Sequence, residues 1–173
     1  MNLTMKYLIN ALFLLLSPVA LAAQASEADS NAPRITSSNK LLIEVNLSQF
    51  NMLTEKPYLA LWYSLPNKQY TPLKVLRADS KWLRDLKSFW RYIARYQREK
   101  LDGITSATVR SGSHKFSFEL PATAATETHR YWLEVVRENG TRELLEVSMA
   151  AKQPSRNCIN GTKEVNLFCV EYR

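Results

Sequence analysis

Two alternating runs, 131–137 and 144–149, meet across Glu138-Asn139-Gly140-Thr141, and this pairing limits the possible folds more than any other stretch of the chain. Side chains on a strand point to opposite faces in turn, so a run that alternates apolar and polar residues is a half-buried strand. Asn-Gly supplies the positive-φ residues that a tight hairpin turn needs. The same alternation recurs at 41–48, with Ile43, Val45 and Leu47 on one face, and at 114–120, with Phe116, Phe118 and Leu120 on one face. Residues 58–64 differ. There Tyr58, Ala60, Trp62 and Ser64 oppose Leu59, Leu61 and Tyr63, so both faces are apolar and a central strand covered on both sides is expected. After a turn at Pro66-Asn67-Lys68, residues 70–76 return as a further strand, which Pro72 confines to an edge or start position.

The period changes over 81–100. Leu83, Leu86, Trp90, Ile93 and Gln97 follow steps of three and four, which predicts one α-helix capped by Asp79 or Ser80. Arg84, Lys87, Arg91, Arg95 and Arg98 follow the same steps on another face. Such a basic stripe is either a solvated face with arginine stems over aromatic neighbours or a contact for a phosphate or an acidic protein. Six or seven short strands, two hairpins and one inserted helix at about 81–100 predict a mainly β chain, an antiparallel β-sandwich or meander.

Lys6 is followed by an apolar run, 7–16, and then by Ser17-Pro18 and the small residues of 19–23. That is the order of a secretory signal peptide with cleavage after Ala22, and Ala25 offers a second site. The apolar run is shorter than the roughly 20 residues that span a bilayer, so no transmembrane span is expected in the mature chain. Residues 23–40 read as a flexible N-terminus, 41–150 as the domain and 151–173 as a C-terminal tail. A mature chain of about 150 residues has room for one domain with a real core. The chain holds 23 Lys and Arg against 16 Asp and Glu, a net charge of +7. Export sets nucleic acid aside, leaving a basic soluble surface, an anionic membrane surface or an acidic partner.

Cys158 and Cys169 form an even pair in an exported chain, which reads as one disulfide stapling a C-terminal hairpin with Asn160-Gly161 at its turn. A catalytic dithiol would be spaced C-x-x-C, and two distant histidines, His114 and His129, add no metal-binding pattern. The same two histidines stand in or beside strands with no G-x-S-x-G nucleophile elbow, so a hydrolytic triad is not expected. No glycine spacing suits a dinucleotide loop.

One stretch between the expected helix and the strand at 114–120 is rich in hydroxyls: Asp102-Gly103-Ile104-Thr105-Ser106-Ala107-Thr108. It is either an ordinary turn or a site of covalent attachment. The heptapeptide resembles the acceptor motif of extracytoplasmic proteins that carry covalent FMN. The resemblance implies that a flavin transferase, using FAD and Mg²⁺, places FMN on the Thr108 hydroxyl through a phosphoester. It makes Asp102 the acidic motif position, Thr105, Ser106 and Ala107 the narrow recognition segment, and Arg110 the nearest cation to the attached phosphate. An unaided threonine hydroxyl is a poor nucleophile, so it must be offered to an external enzyme on accessible backbone. Serine departs from the motif at 106, where glycine is usual; a positive φ there would strain any residue with a Cβ.

The flanking segments, Lys56-Pro57-Tyr58-Leu59-Ala60-Leu61-Trp62, Lys81-Trp82-Leu83-Arg84-Asp85-Leu86 and 131–140, together with Asp102 to Arg110, are similar in order and kind to the DUF2271 family of predicted periplasmic proteins. The likeness spans 43–149 and leaves the cysteine tail outside. It implies an Ig-like sandwich, a periplasmic location, and association with the flavin transferase and with PepSY-type membrane proteins. An FMN-bearing member would be an electron carrier. Trp62, Trp82 and Trp90 could stack on the flavin ring or belong to the core. The alternative is a cofactor-free Ig-like module that binds a protein partner, with the 102–108 loop serving as a turn only.

Overall fold

β1 (Lys40–Leu47) runs down the middle of a four-stranded sheet in the order β5-β1-β9-β8, built with β5 (Gly112–Glu119), β8 (Arg156–Ile159) and β9 (Val165–Tyr172). A second sheet has the order β4-β3-β2-β6-β7 and holds β2 (Pro57–Ser64), β3 (Tyr70–Leu76), the two-residue β4 (Thr105–Ser106), β6 (His129–Arg137) and β7 (Arg142–Met149). All neighbours are antiparallel except β3 and β4. The structure is a computed structural model and describes residues 39–50, 56–77, 79–151 and 154–173. The signal peptide expected at 1–22 and nearly all of the N-terminal segment 23–40 lie outside the described residues.

The two sheets face each other as a mainly β sandwich around one core. Leu41, Ile43, Val45 and Leu47 of β1 and Phe168 and Val170 of β9 pack against Leu59 and Leu61 of β2 and Tyr131, Leu133 and Val135 of β6. Each such side chain, fully withdrawn from water, stabilises the fold by about 1.5–3 kcal/mol. β2 is the central strand of its sheet, as its two apolar faces predict. Its other face, with Tyr58, Ala60 and Trp62, lies under the segment that follows β3, where Leu83, Leu86, Phe89, Ile93 and Ala94 bury against it. Pro72 sits on β3 beside an irregularity between Leu61 and Trp62, and β4 pairs only with Val75 and Leu76, so the proline meets no ladder on its outer side.

The single α-helix expected at about 81–100 does not form. Instead the chain makes a 3₁₀ turn at Ser80–Asp85, one α-turn at Lys87–Phe89 (α1), a wider π-turn at Trp90–Ala94 and a 3₁₀ turn at Arg98–Lys100. Asp79 caps the first turn, accepting from the Lys81 N–H at 2.9 Å. The break falls at Leu86, whose ψ of 72° is not helical. There the buried Glu134 carboxylate of β6 accepts the backbone N–H groups of Ser88 at 3.1 Å and Phe89 at 2.8 Å. A carboxylate at the start of a turn satisfies donors that a continuous helix would bond internally. Tertiary structure thus restarts the helix at 87, and the periodic apolar residues still bury.

The C-terminal hairpin forms, with Cys158 and Cys169 opposite one another and joined as a disulfide. β9 lies between β1 and β8, inside the sheet. The turn at Asn160-Gly161 is not a tight positive-φ pair, since among the described glycines only Gly112 and Gly140 have positive φ. Instead the loop is fastened by Glu143 of β7, which accepts the N–H groups of Thr162, Lys163, Glu164 and Val165 at 2.6–3.2 Å. Asn139-Gly140 does turn β6 into β7, with Gly140 at φ 88°.

Candidate functional site

The 102–110 segment begins as a short 3₁₀ turn, Asp102–Ile104, and becomes the edge strand β4, parallel to the end of β3. The pairs are Val75 with Thr105 and Leu76 with Ser106, and the Arg77 N–H donates to the Ser106 carbonyl at 3.0 Å. The chain then crosses the end of the five-stranded sheet. The Thr108 hydroxyl donates to the Pro57 carbonyl at the start of β2. Beyond it, β5 enters the other sheet with Gly112 opposite Leu47. The segment therefore bridges the two sheets at the end of the sandwich where β2 begins and β3 finishes.

Its hydroxyls are held differently. Thr105 Oγ1 donates back to the Leu101 carbonyl at 2.7 Å, four residues earlier. Thr108 is half-buried and tied to Pro57. Ser106 and Ala107 are exposed, and the Ser106 side chain has no hydrogen bond among the described residues. Ser106 also has ordinary extended backbone, because Lys68 is the one described non-glycine residue with positive φ. Serine thus fits position 106 without strain. Arg110 is exposed, and its carbonyl lies 2.7 Å from His114 Nε2.

Asp102 lines a cleft of about 520 Å³ together with Arg77, Lys81, Arg84, Arg98 and Trp90. The Trp90 ring carries two guanidinium groups over it, Arg98 at 5.1 Å and Arg84 at 5.3 Å from its centroid. Positions 84 and 98 belong to the expected basic stripe. All five stripe residues are exposed, but the broken helix leaves no straight row, and it is Arg84 and Arg98 that converge. Four cations face one carboxylate here. Lys81 is paired with Asp79 at 3.7 Å, whereas Arg77, Arg84 and Arg98 have no ion pair among the described residues.

Arg77 and the meeting of Trp90 with two arginines escape sequence reasoning. Arg84 and Arg98 share the basic face of the expected helix, but Trp90 falls on its apolar face, and Arg77 is a charge at a strand end. Of the tryptophans weighed as ring-stacking residues, Trp62 is core at 1% exposed and stacks on Trp132 at 6.1 Å. Trp82 is 39% exposed over Tyr58, and Trp90 is half-buried at the cleft. His129 is buried between Thr123 and the Glu127 carbonyl, and burial lowers its pKa. His114 stands on the other sheet.

A family profile described as a predicted periplasmic protein, DUF2271, matches residues 40–167. The chain belongs to the DUF2271 family. The match runs from β1 into β9 and so takes in Cys158, beyond the 43–149 span that the sequence likeness covers. As a DUF2271 protein the chain is periplasmic, where the leader read at 1–22 would send it. Among the described residues no helix is long and apolar enough to cross a membrane. No curated protein and no solved structure shows significant similarity to this DUF2271 chain.

Proposed function

We propose that this DUF2271 protein is a periplasmic electron carrier, an Ig-like sandwich bearing FMN as a phosphoester on Thr108. The observation that carries the reading is the position of the motif. It is a partly exposed edge segment at one end of the sandwich, and its first residue, Asp102, shares a cleft with four cations and a half-buried indole. These are groups suited to a flavin nucleotide: guanidinium and ammonium for phosphate, and flat surfaces for the ring.

Attachment in this reading is a phosphoryl transfer to a hydroxyl. Thr108 Oγ1 forms the new bond to the FMN phosphorus of FAD, the pyrophosphate bond breaks, AMP leaves, and the hydroxyl proton passes to a base on the transferase. In the free chain that proton is shared with the Pro57 carbonyl, so the loop must release it as the transferase engages. Exposure of Ser106 and Ala107 leaves the backbone on the approach side unhindered. The isoalloxazine, once attached, supplies the redox chemistry, and the chain sets its surroundings. The electron partner in this reading is a PepSY-type or other membrane redox protein.

The test is the intact mass of the mature chain after coexpression with a flavin transferase. A single FMN increment supports the carrier. A bare mass under those conditions overturns it in favour of the second reading, a cofactor-free module for a protein partner. That reading has its own support in exposed aromatics beside basic residues: Trp82 at 39%, Tyr92 at 41% and Tyr96 at 68%.

A further inference from the structure

We propose that the Arg77–Trp90–Arg98 cleft is a noncovalent binding site for a planar, phosphate-bearing ligand of the flavin mononucleotide class. The identity of the ligand rests on the carrier reading above, while the site rests on its own observations.

The first is an orphaned donor. Arg77 lines the cleft, and its Nε is buried with no hydrogen-bond partner among the described residues. Buried guanidinium N–H groups are nearly always matched by an acceptor, so the wall of the cleft at Arg77 carries an under-satisfied cation. The second is an unbalanced charge. Arg84 and Arg98 carry no ion pair among the described residues, and Asp102 is the one carboxylate in the lining. Cations drawn together in excess of the carboxylates beside them favour a ligand that brings two negative charges, as a phosphate monoester does. The third is shape. Two guanidinium groups lie 5.1 and 5.3 Å from the centroid of the Trp90 ring, and Leu83 and Leu101, 7% and 4% exposed, give the cleft an apolar side. Flat cations and an indole offer a stacking surface for an aromatic ring, and about 520 Å³ is within the range of small-molecule sites.

The cleft is continuous with the acceptor segment. Asp102 belongs to both, and the Arg77 backbone is bonded to Ser106, whose Cα is at most roughly 7 Å from that of Thr108 along the chain. A nucleotide tethered at Thr108 starts beside the walls that a free nucleotide would meet.

The experiment uses the mature chain made without a transferase, so that nothing is attached. It is titrated with FMN, riboflavin and inorganic phosphate, followed by flavin and tryptophan fluorescence and by calorimetry. FMN is expected to bind at least about tenfold more tightly than riboflavin or phosphate alone, with tryptophan emission quenched. Arg84→Glu and Arg98→Glu change exposed side chains and are expected each to weaken FMN by about tenfold or more. Lys115→Glu, the same charge change on the other sheet, is expected to leave it unaltered. Riboflavin binding as tightly as FMN, no FMN binding, or equal effects of Arg98→Glu and Lys115→Glu would each overturn the proposal. Those outcomes leave the mass test at Thr108 standing. A bare mass with intact FMN binding would remove the tether and keep the cleft.

Discussion

The backbone N–H of Arg77 donates to the carbonyl of Ser106 at 3.0 Å. This bond extends the β3–β4 pairing by one residue and fixes the acceptor-like segment to the sheet. It also sets that segment beside the residue whose side chain enters the basic cleft. The loop is therefore not a free turn between helix and strand. It is an edge strand followed by a crossing to the other sheet, and its three hydroxyls differ in partner and exposure.

Those differences give a residue-level test of the carrier. With a flavin transferase present, Thr108→Val is expected to lose the FMN increment completely. Thr105→Val and Ser106→Ala are expected to keep it, and peptide mapping should place the flavin on Thr108. A label that survives Thr108→Val and disappears with Ser106→Ala would reassign the acceptor to the more exposed hydroxyl.

The two loop glycines that are not at positive φ should behave in opposite ways. A Cβ at Gly103 meets nothing within 4 Å, so Gly103→Ala is expected to leave the urea midpoint unchanged. A Cβ at Gly161 would overlap the Val165 carbonyl oxygen and press on Glu143 Oε1 at 2.9 Å. Gly161→Ala should cost about 1–3 kcal/mol by urea unfolding.

Glu143 makes stability depend on pH. Burial raises its pKa, but the backbone donors of Thr162, Val165, Glu164 and Lys163 outweigh burial and hold it below the ordinary 4.5. A depressed folded value means the unfolded chain takes the proton first as pH falls. The contribution is therefore complete above about pH 4.5 and is lost as pH falls through the depressed folded value. Glu143→Gln should cost about 1–3 kcal/mol at pH 7, with the gap from wild type narrowing in urea melts carried into that acid range. A gap independent of pH would contradict this.

Glu134→Gln tests the break in the helix. Glu134 is 0% exposed and also receives the Arg142 Nε–H at 2.6 Å, while Arg142 donates to Ser88 Oγ at 2.7 Å. A neutral amide puts an NH₂ where an acceptor is needed. The change should cost about 1–3 kcal/mol and speed amide exchange at Ser88 and Phe89 more than in the β1 core.

The staple at Cys158–Cys169 closes a loop with a sequence separation of 11. Replacing both cysteines by serine should lower stability by about 2–3 kcal/mol, and reductant should reproduce the loss in the wild type alone.

What the sequence determined by itself was whatever depends on neighbours along the chain. Period-two alternation placed β1, β2, β5, β6 and β7, and the two-faced pattern at 58–64 marked β2 as central. Asn139-Gly140 set the β6–β7 turn, and the cysteine pair anticipated a staple across a hairpin. The order of segments around Asp102–Thr108 pointed to DUF2271. Tertiary structure decided what depends on residues far apart. Glu134 lies 45 residues beyond Phe89 yet sets where the helix restarts, so helical periodicity over 81–100 became a series of short turns. Glu143 rather than Asn160-Gly161 shapes the last loop, and β9 enters the sheet beside β1 because its apolar face completes the core. The basic cleft came from the same source. Arg84 and Arg98 share the period of the basic stripe, but Trp90 falls on the apolar face and Arg77 lies on the strand side, and only the folded path of the broken helix over β2 and β3 brings all four together.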